Sequence, residues 1–543
     1  MKRIFNKLKS GLGLMAGVLF LVTSCAKDPI LVTAIALDKA DATVQVGATS
    51  NLAAFITPAD ASNLKITWRS GNAAVATVAE GVVTGVALGT TTITAVSQSD
   101  TTVKATCSIL ITPSTGQVIT VTGDITANTK WYATAKYMLS GFVYVKNNST
   151  LTIEPGTIIK GVSTTKAALM IERGSKIMAQ GTAALPIVFT SDKPKGQRAS
   201  GDWGGVVICG KATTNKHDSG AGTGVAEGGI GSLYGGTDEN DNSGVLQYVR
   251  IEFPGIPLTA TANSELNGLT LYAVGRGTTI DHVQVSYSGD DSFEWFGGTV
   301  NCKYLVCIRG LDDEYDTDNG FSGKLQFLLG IRDPNISDQS GSNGFESDND
   351  ADGSALTPVT KPVFSNVTLY GPLTVSATLP VNHLYKRAMH IRRSSQLSVY
   401  NSVFAGWPKG LILDGALGNT PTAAENNDLQ IEKSIMSGMT ANYEIATGTL
   451  ATPYTLVQVG AYYTAPSRGN ALNTLTEIIG TGLITITNPV LLPAAGSPAL
   501  TGATFTNTKL SDAFFTPVAY KGAFGATNWT TGWCNFDPQN TDY

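Results

Sequence analysis

The sequence predicts an all-β chain in two parts, a small β-sandwich followed by a long parallel β-helix. Three observations carry that reading. Asp, Glu, Lys and Arg make up only 15% of the 543 residues while Gly numbers 59 and Thr 67, a bias away from helix formers toward strand and turn residues. Residues 31–112 consist of short alternating runs cut by turn residues. From about residue 117 onward, strand-like segments recur at offsets near twenty residues, as stacked coils do. Length alone would suggest three or four domains, but repeat folds escape that rule. The formal charge is −5. Without the four basic residues of the first 24, 33 basic side chains face 42 acidic ones, a charge of −9. That sign excludes nucleic acid as a partner and disfavours anionic headgroups, and the composition excludes a helical membrane protein and a disordered chain.

The elements follow in order. Lys2, Arg3, Lys7 and Lys9 precede an apolar run from Gly11 to Val22, too short for a permanent span and suited to a secretory leader over residues 1–24. Leu21-Val22-Thr23-Ser24-Cys25 resembles the lipobox of bacterial lipoproteins. The resemblance implies that Cys25 is the acylated N-terminus, with residues 25–30 as a tether and the acyl chains as the membrane anchor. Ala26-Lys27-Asp28-Pro29, with no Asp directly after the Cys, is similar to the tethers of outer-membrane lipoproteins that face the cell exterior. The other thiols, Cys107, Cys209, Cys302, Cys307 and Cys534, are odd in number and lack metal-site spacing, so they predict neither a disulfide framework nor a zinc site. Cys107 and Cys209 sit in apolar alternating runs and read as small buried hydrophobes.

Residues 31–112 contain Ile35-Ala36-Leu37, a Val46-Gly47 turn, Thr57-Pro58-Ala59-Asp60, Trp68, Val75-Ala76-Thr77-Val78, Gly85 and Gly89-Thr90-Thr91-Thr92-Ile93-Thr94-Ala95. Across its length this block resembles the bacterial immunoglobulin-like group 2 domain. The family implies a sandwich without catalytic residues, used as a spacer or adhesion module, and here a stalk.

For residues 117–543 the test is self-similarity. Leu151-Thr-Ile153-Glu154-Pro-Gly156 recurs eighteen positions on as Leu169-Met-Ile171-Glu172-Arg-Gly174, which predicts Ile153 over Ile171. Asp281-His-Val283-Gln-Val285 recurs at an offset of twenty-two as Lys303-Tyr-Leu305-Val-Cys307, and after twenty-three more as Gln326-Phe-Leu328-Leu-Gly330. Rungs of 18 to 25 residues with apolar side chains inward predict on the order of a dozen coils. With Thr-Ile-Glu-Pro-Gly-Thr at 152–157 and Gly-Asp-Trp-Gly-Gly at 201–205, the stretch resembles right-handed, pectin-lyase-like β-helix proteins. That fold hosts lyases, hydrolases, adhesins and tailspikes, so function rests on the site.

Acids concentrate between residues 290 and 352. At the twenty-two offset Asp290 falls on Asp312, Asp291 on Asp313 and Glu294 on Asp316, while Asn319-Gly320-Phe321 falls on Asn343-Gly344-Phe345. Strands about 4.8 Å apart would stack these carboxylates on one face, where they share protons or a cation. Calcium, a hard ion taking six to eight oxygens, is the candidate, with Asp312, Asp313, Asp316, Asp318, Asp348, Asp350 and Asp352 as ligands. Asp348-Asn-Asp350-Ala-Asp352-Gly353 opens like a calcium loop, but the twelfth position is Val359, so it is not an EF-hand. A solvated acidic loop is the alternative.

The same residues admit catalysis. A lyase resembling the pectate lyases would use calcium to acidify a sugar proton and Arg309 or Arg332 to remove it. Ser288-Gly289-Asp290-Asp291 resembles the Gly-Asp-Asp of polygalacturonases, which implies an acid and base pair, yet the family's accompanying motifs are absent or out of order here. Glu294, Trp295 and Tyr315, with Phe293 and Phe296 nearby, could bind a sugar by stacking and hydrogen bonding, although Phe293 and Trp295 share a parity and belong together in or out. Trp529, Trp533 and Phe536 are expected to cap the last coil. The sequence thus predicts a surface lipoprotein that binds calcium and a glycan or protein partner without catalysis. The alternative is a calcium-dependent polysaccharide lyase or glycoside hydrolase.

Overall fold

The computed structural model describes residues 27–228, 230–258 and 265–543; Cys25 and the leader lie outside them. The described chain is almost entirely β, and it divides into two compact units, the second being Thr115–Tyr543.

The first unit is built from small sheets. Asp41–Gln45, Lys104–Thr112, Gly89–Ser97 and Ile66–Ser70 form a four-stranded sheet, and Thr49–Asn51, Val82–Gly85 and Ala76–Ala79 a three-stranded one. Alternation sends Val44, Val83, Ile93, Cys107, Ile109 and Ile111 into one core, as half-buried strands require. Gly85 is obligatory where the sheets meet, because a Cβ there would lie 2.5 Å from the Gln45 carbonyl oxygen.

The second unit is one continuous parallel sheet wound into a coil, from Gln117–Ile125 to Ala471–Asn473. One inward ladder runs Val143, Leu169, Val206, Leu269, Phe293, Tyr315, Phe345, Met389 and Leu411. Its spacing corrects the expected rung length of 18 to 25: neighbours are 22 residues apart from Phe293 to Tyr315 but 63 from Val206 to Leu269. Long excursions leave the coil between strands without disturbing the ladder. The pairing of Asp281 with Lys303 and Lys303 with Gln326 follows the twenty-two and twenty-three offsets. The eighteen-residue repeat does not mark a rung, since Ile153 pairs with Ala179 and Ile171 with Val145 and Ile208. The motif recurs two strands on within a single coil, because both strands need the same alternation and turn. Phe345 likewise pairs with Tyr315, thirty residues back, and not with Phe321; the excursion through residues 332–342 accounts for the difference.

Successive coils bend at the same corner. Tyr248, His282, Tyr304, Phe327, Asn366 and Asn401 all have φ between 50° and 62°, the left-handed region that L residues usually avoid. Ring stacking accompanies the bend: Tyr248 on His282 at 4.4 Å, His282 on Tyr304 at 4.3 Å and Tyr304 on Phe327 at 5.1 Å. The C-terminal segment runs along this flank rather than over the coil's end, which corrects the expected cap. Trp529 meets Tyr304 at 5.2 Å and Trp533 meets His282 at 5.4 Å. Side-chain amides clasp its backbone from both sides: Gln284 bonds the N–H and C=O of Asn535, Gln326 those of Thr516, and Asn401 those of Thr504. Arg198 Nη1 adds bonds to the carbonyls of Pro538 at 2.7 Å and Thr541 at 2.9 Å.

Candidate metal centre

Strand alternation decides which side chains leave the coil. Within Phe293–Phe296, Tyr315–Asp318 and Phe345–Ser347, the residues Phe293, Trp295, Tyr315 and Phe345 are fully buried. The intervening Glu294, Asp316 and Glu346 therefore emerge on the outer face. Parallel register places Glu294 beside Asp316, Asp316 beside Glu346, and Glu346 beside His390 of Arg387–Ile391.

The turns entering these strands supply the second set, Asp290 and Asp291 on one coil and Asp312 and Asp313 on the next. Asp291 Oδ1 accepts the Asp313 N–H at 2.8 Å, and Asp313 Oδ1 accepts the Asn343 N–H. Each acid thus satisfies a backbone donor one coil further on, where a turn leaves it without a strand partner.

These groups line a cleft of about 510 Å³. Asp290, Asp291 and Asp312 bring one oxygen each within 4.8 Å of one another, and so do Asp291, Glu294 and Asp316. Such oxygen groups could hold a metal ion. Their electrostatics agree. Burial, followed by the charges of neighbouring acids, pushes Asp290, Asp291 and Asp316 well above the usual carboxylate range, and Glu294 and Asp313 with them. Burial takes Asp312 up to about 7, partly offset by its bond from the Ser340 hydroxyl at 2.8 Å. Burial and then Asp348 take Asp318 up to about 8. Carboxylates so placed either hold protons near neutrality or exchange them for a cation.

The far bank is basic. Arg392 pairs with Glu346 and, at 2.7 Å, with Asp348; Arg393 pairs with Asp348 at 2.7 Å; Arg387 pairs with Glu444. His390 lies between Glu346 and Asp414, 3.1 Å from each. Burial raises Glu346, but Arg392 and His390 outweigh it and draw the carboxyl down to about 2.

Several expected residues lie elsewhere. Trp295 and Tyr315 are inside the coil, Trp295 stacked on Phe321 at 5.5 Å and the Tyr315 hydroxyl bonded to the Leu329 carbonyl at 3.0 Å, so neither can stack on a sugar. Phe296, of the opposite parity, is the aromatic among those named that reaches the cleft. Arg332 is also fully buried. It pairs with Glu314 at 3.2 Å and bonds the carbonyls of Asp312 at 2.6 Å and Leu311 at 3.1 Å, bracing the turn that carries Asp312 instead of facing a substrate. Arg309 is held by Asp333 at 3.1 Å and by Tyr287, away from the cleft lining. The acidic loop does not converge either. The Asp350 carboxylate accepts the N–H groups of Asp352 and Ser354 and the Ser354 hydroxyl, and Asp352 is exposed. Asp313, Asp318 and Asp348 line the cleft outside the two carboxylate groups. Sequence reasoning missed Glu227, Asn343, Arg387, His390, Arg392 and Arg393, which all line it. Four of them fall in Arg387-Ala-Met-His390-Ile-Arg392-Arg393, a dense basic run in a chain poor in charge, and that was the available signal.

A coil of parallel strands carrying its polar site on one outer face defines this protein as a parallel β-helix protein with an acidic surface cleft. The chain belongs to the family described as the pectate-lyase-like β-helix domain, whose model matches residues 123–476, and residues 31–109 match the bacterial Ig-like domain, group 2. It is also similar to an uncharacterized protein of Clostridium acetobutylicum, 38% identical over 86 residues, which are 16% of this chain and 9% of that protein's length.

Proposed function

We propose that this protein is a cell-surface lipoprotein, anchored to the outer membrane through acylated Cys25, whose β-helix binds calcium and, through it, an extracellular glycan or a surface protein without catalysing a reaction. The observation that carries this reading is the pair of carboxylate groups, each within 4.8 Å, opening into one cleft. All-oxygen donors of mixed burial suit calcium, which accepts irregular sets at 2.3–2.6 Å. Binding fits better than lysis because the arginines that line the cleft, Arg387, Arg392 and Arg393, are each committed to a carboxylate, whereas a proton-abstracting base must be free and within hydrogen-bond reach. The Ig-like domain stands in the chain between lipid and coil, the order a spacer needs.

The experiment is calorimetric titration of calcium into chelator-stripped protein, followed by a screen of acidic polysaccharides with and without calcium. Calcium-dependent retention of a polysaccharide, with no rise in the ultraviolet absorbance of unsaturated sugar ends, is the expected result. New absorbance would replace the binder with a lyase; no calcium heat would remove the ion. Cys25→Ala is expected to release the protein from the membrane fraction.

A further inference from the structure

We propose that the cleft takes two divalent cations side by side, bridged by the carboxylate of Asp291. This rests on the calcium reading above and adds the number and arrangement of ions. Oxygens bound at 2.3–2.6 Å to one ion lie no more than about 5 Å apart. Asp290, Asp291 and Asp312 meet that limit as one group and Asp291, Glu294 and Asp316 as another, with Asp291 the shared member. The coil produces this doubling directly. Asp290, Asp291 and Glu294 belong to one turn and Asp312 and Asp316 to the next, and the parallel register sets Glu294 beside Asp316.

Two further observations point to ligands at this place. Asp316 Oδ1 is sealed from solvent with no hydrogen-bond partner. Asn343, 2% exposed and lining the same cleft, has an orphaned Oδ1 while its amide nitrogen reaches Asp313 and Glu346. Buried oxygens are rarely left so, and a cation satisfies what no nearby donor does. Charge leads to the same count. No ion pair among the described residues reaches the carboxylates of Asp290, Asp291, Glu294, Asp312 or Asp316. One divalent ion in either group would leave the outer two acids of the other facing each other uncompensated.

The test counts ions on the purified protein after chelation, by calorimetry with calcium and by luminescence decay of europium(III) in its place. Two ions per chain and two decay components are expected. Asp312→Asn and Glu294→Gln should each reduce the count from two to one, and Asp291→Asn should weaken whatever remains at least tenfold. Asp350→Asn, in the self-bonded loop, should leave the count at two, and unfolding curves verify that each variant is folded. One ion in the wild type, lost equally in the Asp312 and Glu294 variants, overturns the bridged pair and leaves the calcium reading standing. No ion at all overturns both.

Discussion

Two faces of the same coil carry polar side chains and treat them in opposite ways. On the flank covered by the C-terminal segment, Gln284, Gln326 and Asn401, from three different register positions, each bond an N–H and a C=O of the overlying backbone. On the cleft face the stacked groups are acids of like charge, and the buried Oδ1 of Asp316 has no partner. Saturation marks side chains with a structural role, since buried polar groups must be paired. Like charges at neighbouring positions instead raise the free energy of the folded chain unless protons or a cation compensate them.

The largest effect should come from the brace beneath the cleft. Arg332→Met leaves Glu314 buried without its cation, and about 3–5 kcal/mol of stability should be lost in denaturant unfolding. Arg332→Met with Glu314→Leu should recover most of it, because the unpaired charge is gone; failure to recover would show that the carbonyl bonds to the Asp312 turn matter more than the pair. The flank comes next. Gln326→Ala removes three bonds, one to Asn366 Oδ1 and two to the N–H and C=O of Thr516, a loss of about 1–3 kcal/mol. Amide exchange should quicken around Thr516, and unchanged protection there would mean that the ring contacts of Trp529 and Trp533 suffice.

The cleft should respond with the opposite sign and the smallest size. Without metal, Asp316→Asn is expected to stabilise the protein by on the order of 1 kcal/mol, since it deletes a buried charge among like charges. The pH dependence follows from the same groups. Asp312 and Asp318 titrate near 7 and 8 in the folded chain against an ordinary 3.8, so the folded state holds protons that the unfolded state has released. Their contribution is complete below about pH 4 and is lost as pH rises through 7 to 8. The metal-free melting temperature should therefore fall between pH 5 and 8, and calcium should abolish the fall. A metal-free protein as stable at pH 8 as at pH 5 would refute the account of the acidic column.

Much of this was legible in the sequence, for reasons that differ by region. The Ig-like strands could be read from their short alternating runs and turn residues, and the ladder from Asp281 to Gln326 because consecutive coils there differ by 22 and 23 residues. The stacking of Glu294 on Asp316 followed from the same spacing. Beyond Phe345 the excursions break the period, so the arrival of His390 beside Glu346, forty-four residues on, had no periodic trace. Trp295 and Tyr315 were misplaced because composition marks an aromatic as able to bind sugar, while the pleat alone decides which way it points. Arg332 was misread for a related reason: an arginine beside acids suggests a site, and only burial reveals that it supports the backbone.

The uneven coil length has one further consequence. The ladder tolerates 22 residues or 63 between the same two inward positions, and the cleft takes part of its wall from the excursions, with Glu227, Ser340 and Ala351 all outside the strands. Insertion or exchange of a loop can thus remodel the rim while the acid-bearing turns stay fixed on the coil. In such an architecture the shape of the rim is set by segment length at the margin and is independent of the residues of the inner ladder.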